Sequence, residues 1–278
     1  MTTSFKISSF VFVIILFFAI GSALLYRRVE QFDTSKLTKT IWMFWEQGWD
    51  EAPAICKVCM KSWIKYNPDW TIVLLDSNNI TDYIDLNDYV KDYKLKRPIQ
   101  IRADILRTNL LNKNGGLWVD ATVFCTKPLN DWIYPYIKTG FFAFEKDKSS
   151  ELRISNWMLY AQKNHYIIDK WATVYNNYWK HNDTSEYFKH VKLFGDLYKS
   201  DATFNKAWND VKKFSASIPH TLKYKEKHHS IPANIKQHIY ENKSPLYKLD
   251  HNSKTSEVLY NPNVQDVYSF LMSHHSLN

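Results

Sequence analysis

The 278-residue sequence predicts an α/β fold, a mixed and mostly parallel sheet flanked by helices. Three observations predict it. A β-branched run, a helical-period segment and a second apolar run follow one another between Thr38 and Leu75, the signature of a βαβ unit with helices covering a sheet. A second amphipathic helix ends in a double glycine and is followed at once by a short apolar strand. The composition, 45% hydrophobic and 16% aromatic with only 6 Gly, supplies a large core and excludes disorder, collagen-like repeats and Gly-rich linkers.

Taken in order, Thr38 to Phe44 has the β-branched and aromatic content of a strand, closed by a loop at Glu46-Gln47-Gly48. Ala52 to Tyr66 has helical spacing, with Cys56, Cys59 or Met60, and Trp63 on one face. Asn67-Pro68-Asp69 is a turn, and Thr71 to Leu75 is a continuous apolar run of the buried parallel type. Ile99 to Asn112 is a helix whose stripe is Ile101, Ile105, Leu106, Leu110 and Leu111; Lys113 and Gly115-Gly116 end it. Leu117 to Val119 and Phe141 to Phe144 are short strands. Leu152 to Trp179 reads as helical and aromatic-rich, and Tyr187 to Trp208 as a helix broken near Gly195. Beyond Pro219 only short pieces follow, with a weak helical patch from Val264 to Leu271.

Ahead of this body, Ser9 to Tyr26 runs about 18 residues without a charge, the lower limit for crossing a bilayer. Arg27 and Arg28 follow it directly, where a cleaved leader would place small residues, so a retained single-pass membrane anchor is expected. The same arginines favour a cytosolic body by the positive-inside rule. Sequons at Asn79, Asn182 and Asn242 point the other way, but an Asn-rich chain forms sequons by chance. The expected organisation is a tail over 1–8, an anchor in membrane lipid over 9–26, a linker over 27–37, a catalytic domain over 38–250 and an extension over 251–278. A net charge of +8 favours anionic partners, yet the basic residues are scattered, so no nucleic-acid partner is expected.

Chemistry concentrates between Ile101 and Thr122. Asp104 and Arg107 stand three apart on a helix and share a face. Asp120 emerges at the carboxyl end of a strand, where open α/β sheets bind ligands. An arginine there can fork onto a phosphate or a carboxylate, and a carboxylate can hold a sugar hydroxyl or a metal. The plainer alternative is a surface ion pair of about 0.3–0.5 kcal/mol beside a turn aspartate.

The string from Arg102 through Asp104 and Arg107 to Gly115-Gly116-Leu117-Trp118-Val119-Asp120-Ala121-Thr122-Val123 resembles the sugar-binding region of the capsular polysaccharide synthesis glycosyltransferases, relatives of the glycosyltransferases with a DxD motif. Ile41 to Trp45, Asn67 to Trp70, Val73 to Asp76, Ser155 to Met158 and Ser244 to Leu249 fit in the same order, so the resemblance spans 38 to 250. It implies a Rossmann-like A-type glycosyltransferase fold and transfer of a hexose from a nucleotide-sugar donor to a polysaccharide, glycan or lipid-linked acceptor, with retention. Asp120, Asp104 and Arg107 would be the catalytic residues. Trp45, Arg102, Thr122 and Lys248 would join them in binding the donor, Trp45 near the base and Lys248 at the phosphates. Asp120 would take the first Asp of DxD and hold Mn²⁺ or Mg²⁺. Here the second Asp is replaced, since the string is Asp120-Ala121-Thr122, and Tyr247 stands where His often precedes the lysine. The first change keeps alive an alternative, a catalytically inactive carbohydrate-binding or scaffold protein tethered to the membrane.

Other signals carry less. Cys56 and Cys59 have no second CxxC partner and lie on a helix's apolar face, so they read as core residues rather than zinc ligands. Three cysteines are too few for a disulfide framework. The aromatic stretch from Trp157 to Trp179 reads first as core, with part of it available to line an acceptor site.

Overall fold

The computed structural model describes residues 37–92, 97–146, 151–182, 186–222, 233–250 and 267–277. The expected anchor, Ser9 to Tyr26, lies outside them. Among the described residues no helix is long and apolar enough to cross a membrane.

The βαβ unit forms as its pattern requires. Strand β1 (Thr40–Phe44) pairs in parallel with β2 (Thr71–Leu75), from Thr40 opposite Thr71 to Phe44 opposite Leu75. The intervening helix α1 (Ala54–Tyr66) buries Ile55, Cys56, Val58, Cys59 and Trp63. Helix α2 (Ile99–Asn114) follows, and every residue of its predicted stripe is buried. Its face is wider than a stripe, because Asp104, Arg107, Thr108 and Asn109 are buried too. Two residues past its end, β3 (Gly116–Val119) enters beside β1, with Trp42 opposite Trp118. Gly116 permits that approach: at φ +103° a Cβ would stand 2.7 Å from the Thr40 carbonyl oxygen.

The expected helix from Leu152 to Trp179 is instead a strand followed by a helix. Strand β6 (Ile154–Ala161) is antiparallel to both β3 and β5 (Phe141–Glu145), and α3 (Tyr166–His181) begins after a turn. Every residue of β6 except Asn156 is buried, so no alternation marks it as a strand and its apolar run merges with that of α3. The next break also shifts. Helices α4 (Lys189–Ser200) and α5 (Ala202–Asp210) part at Asp201, whose side chain accepts from the Thr203 and Phe204 amides, while Gly195 lies inside α4. A Cβ on Gly195 would meet the Glu151 carbonyl oxygen at 2.5 Å, so this glycine serves close packing rather than a break.

With the short β7 (Phe214–Ser215), the main sheet has the order β2-β1-β3-β6-β5-β7, and β6 alone runs against the other five. Helices α3 to α5 pack their aromatics on it in one core cluster, to which α2 adds Ile101, Ile105, Leu106, Leu110 and Leu111. A second cluster joins α1 to a two-stranded sheet, β4 (Val123–Cys125) with β8 (Leu246–Lys248), and to the C-terminal helix α7 (Val267–His274). Helix α6 (Ala233–Tyr240) precedes β8 in sequence. The Trp63 indole fastens α1 to this second layer through the Val123 carbonyl, 2.7 Å away. All three cysteines are buried as thiols in the second layer, with no disulfide between them, in keeping with a core role.

Candidate active site

Because β1, β3 and β5 run in the same direction, their carboxyl ends share one edge, and the chain following each of them opens onto a cleft of about 670 Å³. Trp45 and Glu46 arrive from β1, Asp120 to Thr122 from β3 and Lys146 from β5. Strand β6 enters at this same edge. Its register with β5 slips between Ala143 opposite Leu159 and Phe144 opposite Ser155, which loops Asn156 and Trp157 out toward the cleft. The return of β8 supplies Lys248, Leu249 and Asp250.

Arg107 is the hub. Its Nη1 reaches Asp120 Oδ1 at 3.1 Å and donates to the Asn156 carbonyl at 2.5 Å, while Nε lies 3.3 Å from Asp104 Oδ1. The guanidinium stacks over Trp118, 5.1 Å from the ring centre, and the Trp118 indole donates to Asp120 Oδ1 at 2.9 Å. Asp120 is thus fixed through one oxygen by two donors. The Asp120 amide, bonded to the Trp157 carbonyl at 2.8 Å, fixes its backbone as well.

Beneath Asp104 lies a buried polar relay whose protons can be assigned. Thr108 Oγ1 donates to the Asp104 carbonyl at 2.6 Å, so it must accept from His190 Nε2, 2.8 Å away. That leaves His190 Nδ1 as an acceptor. The Asn156 amide then spends its two hydrogens on Asp104 Oδ1, at 2.9 Å, and on His190 Nδ1, at 3.1 Å. His190 is neutral in this arrangement. Complete burial pushes its pKa down, and Arg107 acts in the same direction against Asp104. Trp171 stacks on the imidazole with centroids 4.0 Å apart and donates from its indole to the His190 carbonyl.

Six of the seven predicted site residues, Trp45, Asp104, Arg107, Asp120, Thr122 and Lys248, line this cleft together. Arg102 does not line it: its guanidinium turns to Glu46, which does. Lys248 donates from Nζ to the Thr122 hydroxyl, and the Leu249 amide bonds the Thr122 carbonyl at 2.8 Å, so β8 lays a cation beside the Asp120 turn. The nearby Cys56 thiol is pushed up to about 12 by burial, with Lys248 opposing, and is no nucleophile at neutral pH. Of the aromatics proposed for an acceptor site, Tyr160, Trp171, Tyr175 and Trp179 are buried, and Trp157 alone among these lines the cleft. Asn156, His190, Tyr187 and Asp250 were not singled out as site residues from the sequence. His190 meets Thr108 across 82 residues, a separation that leaves no local pattern to read.

Among the described residues no three His, Cys, Asp or Glu side chains converge on a metal-sized site. Of the four carboxylates described in the cleft, Glu46 and Asp104 are engaged by Arg102 and Arg107, which leaves the second oxygen of Asp120 and the Asp250 side chain as the groups best suited to a divalent ion. Such a set fits a Mg²⁺- or Mn²⁺-type ion only where a phosphate-bearing ligand and water complete the shell.

The profile of the family described as capsular polysaccharide synthesis protein matches residues 16–267. The O-glycosyltransferase braB of Annulohypoxylon truncatum is 26% identical over 160 residues, covering 51% of this chain and 38% of that protein. The probable glycosyltransferase FCK3 of Fusarium pseudograminearum is 25% identical over 214 residues, 70% of this chain and 52% of that one. The initiation-specific alpha-1,6-mannosyltransferase of Saccharomyces cerevisiae is 27% identical over 105 residues, 34% of this chain and 22% of that protein. The chain thus spans about half or less of the length of these relatives. The family match covers most of the chain, including every residue of the cleft described above, and on that ground the chain belongs to the capsular polysaccharide synthesis protein family.

Proposed function

We propose that this protein is a nucleotide-sugar-dependent glycosyltransferase that moves a hexose to a glycan or lipid-linked acceptor with retention of configuration. The observation that carries the proposal is the Asp104–Arg107–Asp120 cluster, held with Lys248 at the carboxyl edge of parallel strands. A nucleoside diphosphate leaves with developing negative charge. Fixed cations in a partly desolvated cleft stabilise that charge without reorganising, and stabilisation of this kind is usually the main source of rate enhancement. Arg107 is pre-aligned by two carboxylates and a tryptophan face, and Lys248 lies close by on the Thr122 hydroxyl. Asp104 and the free oxygen of Asp120 are suited to accept sugar hydroxyls, which orients the anomeric carbon. Trp45 offers an indole at the end of β1 for the base. The names of the relatives, all glycosyltransferases and among them one O-glycosyltransferase and one mannosyltransferase, support the reaction class.

In the same reading the mixed sheet is the Rossmann-like A-type glycosyltransferase fold. Ser9 to Tyr26 anchors the enzyme in the membrane, with Arg27 and Arg28 favouring a cytosolic body. Mn²⁺ or Mg²⁺ would be held by Asp120 and the donor's phosphates, where it would add charge neutralisation to that of Arg107 and Lys248. Asp120→Asn tests the assignment. Hydrolysis and transfer measured with a panel of UDP- and GDP-hexoses, with and without Mn²⁺, should fall at least a hundredfold while the melting temperature stays put. Full activity in that variant sinks the proposal, and absence of any sugar-nucleotide turnover by the wild type favours a non-catalytic sugar-binding protein.

A further inference from the structure

Two kinds of residue in the cleft are left over by the donor-binding reading. The first is an exposed aromatic pair. Tyr187 is 70% exposed and Phe188 47%, although both line the cleft. Their rings meet edge to face at 4.9 Å, and the Lys146 ammonium lies 5.4 Å over Phe188. Contiguous exposed apolar surface at a groove marks a ligand or partner site, whereas a single exposed ring needs no explanation. The Tyr187 hydroxyl is held above its usual range, first by partial desolvation and then by Asp104 and Asp120, so its tip senses the carboxylates while its ring faces water.

The second is a pair of unsatisfied polar groups. Ser155 Oγ and Trp157 Nε1 are buried and have no hydrogen-bond partner among the described residues, yet both side chains belong to the cleft wall. Leaving such groups unpaired costs about 1–3 kcal/mol each, a cost that a hydroxyl-bearing ligand at the cleft wall would offset for these two. The two kinds of residue lie on the same side. Lys146, under Phe188, is bonded through its amide to Arg153 at the start of β6, and Phe144 pairs with Ser155 and stacks on Trp157 at 4.5 Å.

We propose that this β5–β6 side of the cleft is the acceptor subsite and that it takes a pyranose ring of an oligosaccharide. A pyranose has an apolar face of C–H groups and a rim of hydroxyls. Tyr187 and Phe188 offer the first an aromatic surface, and Ser155 and Trp157 offer the second their unused polar groups. The anionic half of a donor is drawn to the adjoining cations, Arg107 at the Asn156 carbonyl and Lys248 on the Thr122 hydroxyl. The inference rests on the transferase reading for the word acceptor, but not for the sugar site itself.

The test uses the full chain in non-ionic detergent and reads binding of gluco-, manno- and galacto-tetrasaccharides by saturation-transfer NMR, without any donor. The wild type should bind at least one of them. Tyr187→Ala combined with Phe188→Ala should weaken that binding tenfold or more, and Tyr187→Trp should retain it. Ser155→Ala should weaken it severalfold with a melting temperature that holds or rises, because its hydroxyl has no partner to lose in the fold and its removal relieves an unpaired buried group. Tyr240→Ala, at an exposed aromatic that does not line the cleft, should bind as the wild type does. No binding by the wild type, equal binding by the double variant, or competitive displacement of the tetrasaccharide by a UDP-hexose would each overturn the proposal. Since no donor is present, a chain that turns over no sugar nucleotide would refute the transferase reading and leave this result standing or falling separately.

Discussion

Replacing Arg107 by Leu should cost stability as well as activity, and burial decides how much. The guanidinium serves two carboxylates, but the Asp104 side chain is only 11% exposed whereas that of Asp120 is 27% exposed. Water can take over at Asp120. Asp104 would keep one N–H from Asn156 and a neutral imidazole behind it, neither of which cancels a charge. A buried carboxylate stripped of its cation costs about 3–5 kcal/mol, against the 0–1 kcal/mol of an exposed pair. Unfolding of the full chain by urea in detergent, followed by tryptophan fluorescence, should show the midpoint of Arg107→Leu falling by about 1 M or more. Adding Asp104→Asn should recover roughly 2 kcal/mol or more, because the charge that needed Arg107 is gone. Two results refute this reasoning: an Arg107→Leu unfolding free energy within about 1 kcal/mol of wild type, or a double variant no more stable than the single one.

Three further outcomes follow from the geometry. Gly116→Ala combines a φ of +103° with a Cβ 2.7 Å from the Thr40 carbonyl oxygen, so it should lose about 3 kcal/mol or more, or fail to accumulate as folded protein, by thermal melting. His275, whose pKa burial lowers from 6.5 to about 4, binds a proton more readily unfolded than folded. Its contribution is therefore complete above pH 6.5 and declines as pH falls toward 4, by ~2 kcal/mol at pH 5. Burial lowers His190 and His165 too, adding in the same direction, and His275→Gln should flatten the pH dependence of the melting temperature. Lys248→Met should raise the donor KM tenfold or more; if Lys248 only positioned the Thr122 hydroxyl, Thr122→Val would reproduce that effect in full.

Much of the site was legible because its residues are close in sequence and chemically distinctive. Asp104, Arg107 and Asp120 lie on one helix and the strand that follows it, so helical spacing and a Gly-Gly turn bring them together without any long-range contact. Trp45 could be placed at the carboxyl end of β1 for the same reason. Arg102 shows the limit of such reading: it lies in the same string as Asp104 but one helix face away, and Glu46 draws it off. Strand β6 was hidden because a strand buried on both faces carries no period, and its bulge, which delivers Asn156 and Trp157, depends on how β5 pairs. His190 was invisible for another reason. Its role depends on Thr108, Asn156 and Trp171, which only the packed helices α2, α3 and α4 and strand β6 bring to it.

The pairing of β4 with β8 has a consequence in time. Lys248 meets Thr122 across 126 residues, so at a synthesis rate of 5–20 residues per second the two emerge roughly 6–25 s apart. Throughout that interval the nascent chain already holds Asp104, Arg107 and Asp120, and β4 can pack on α1, but the β4 backbone has no strand beside it until β8 arrives. The second layer is therefore the part of the molecule most exposed to mispairing during its birth. A chain stalled before Pro245 would hold all three hub residues but lack the side of the cleft that Lys248, Leu249 and Asp250 supply.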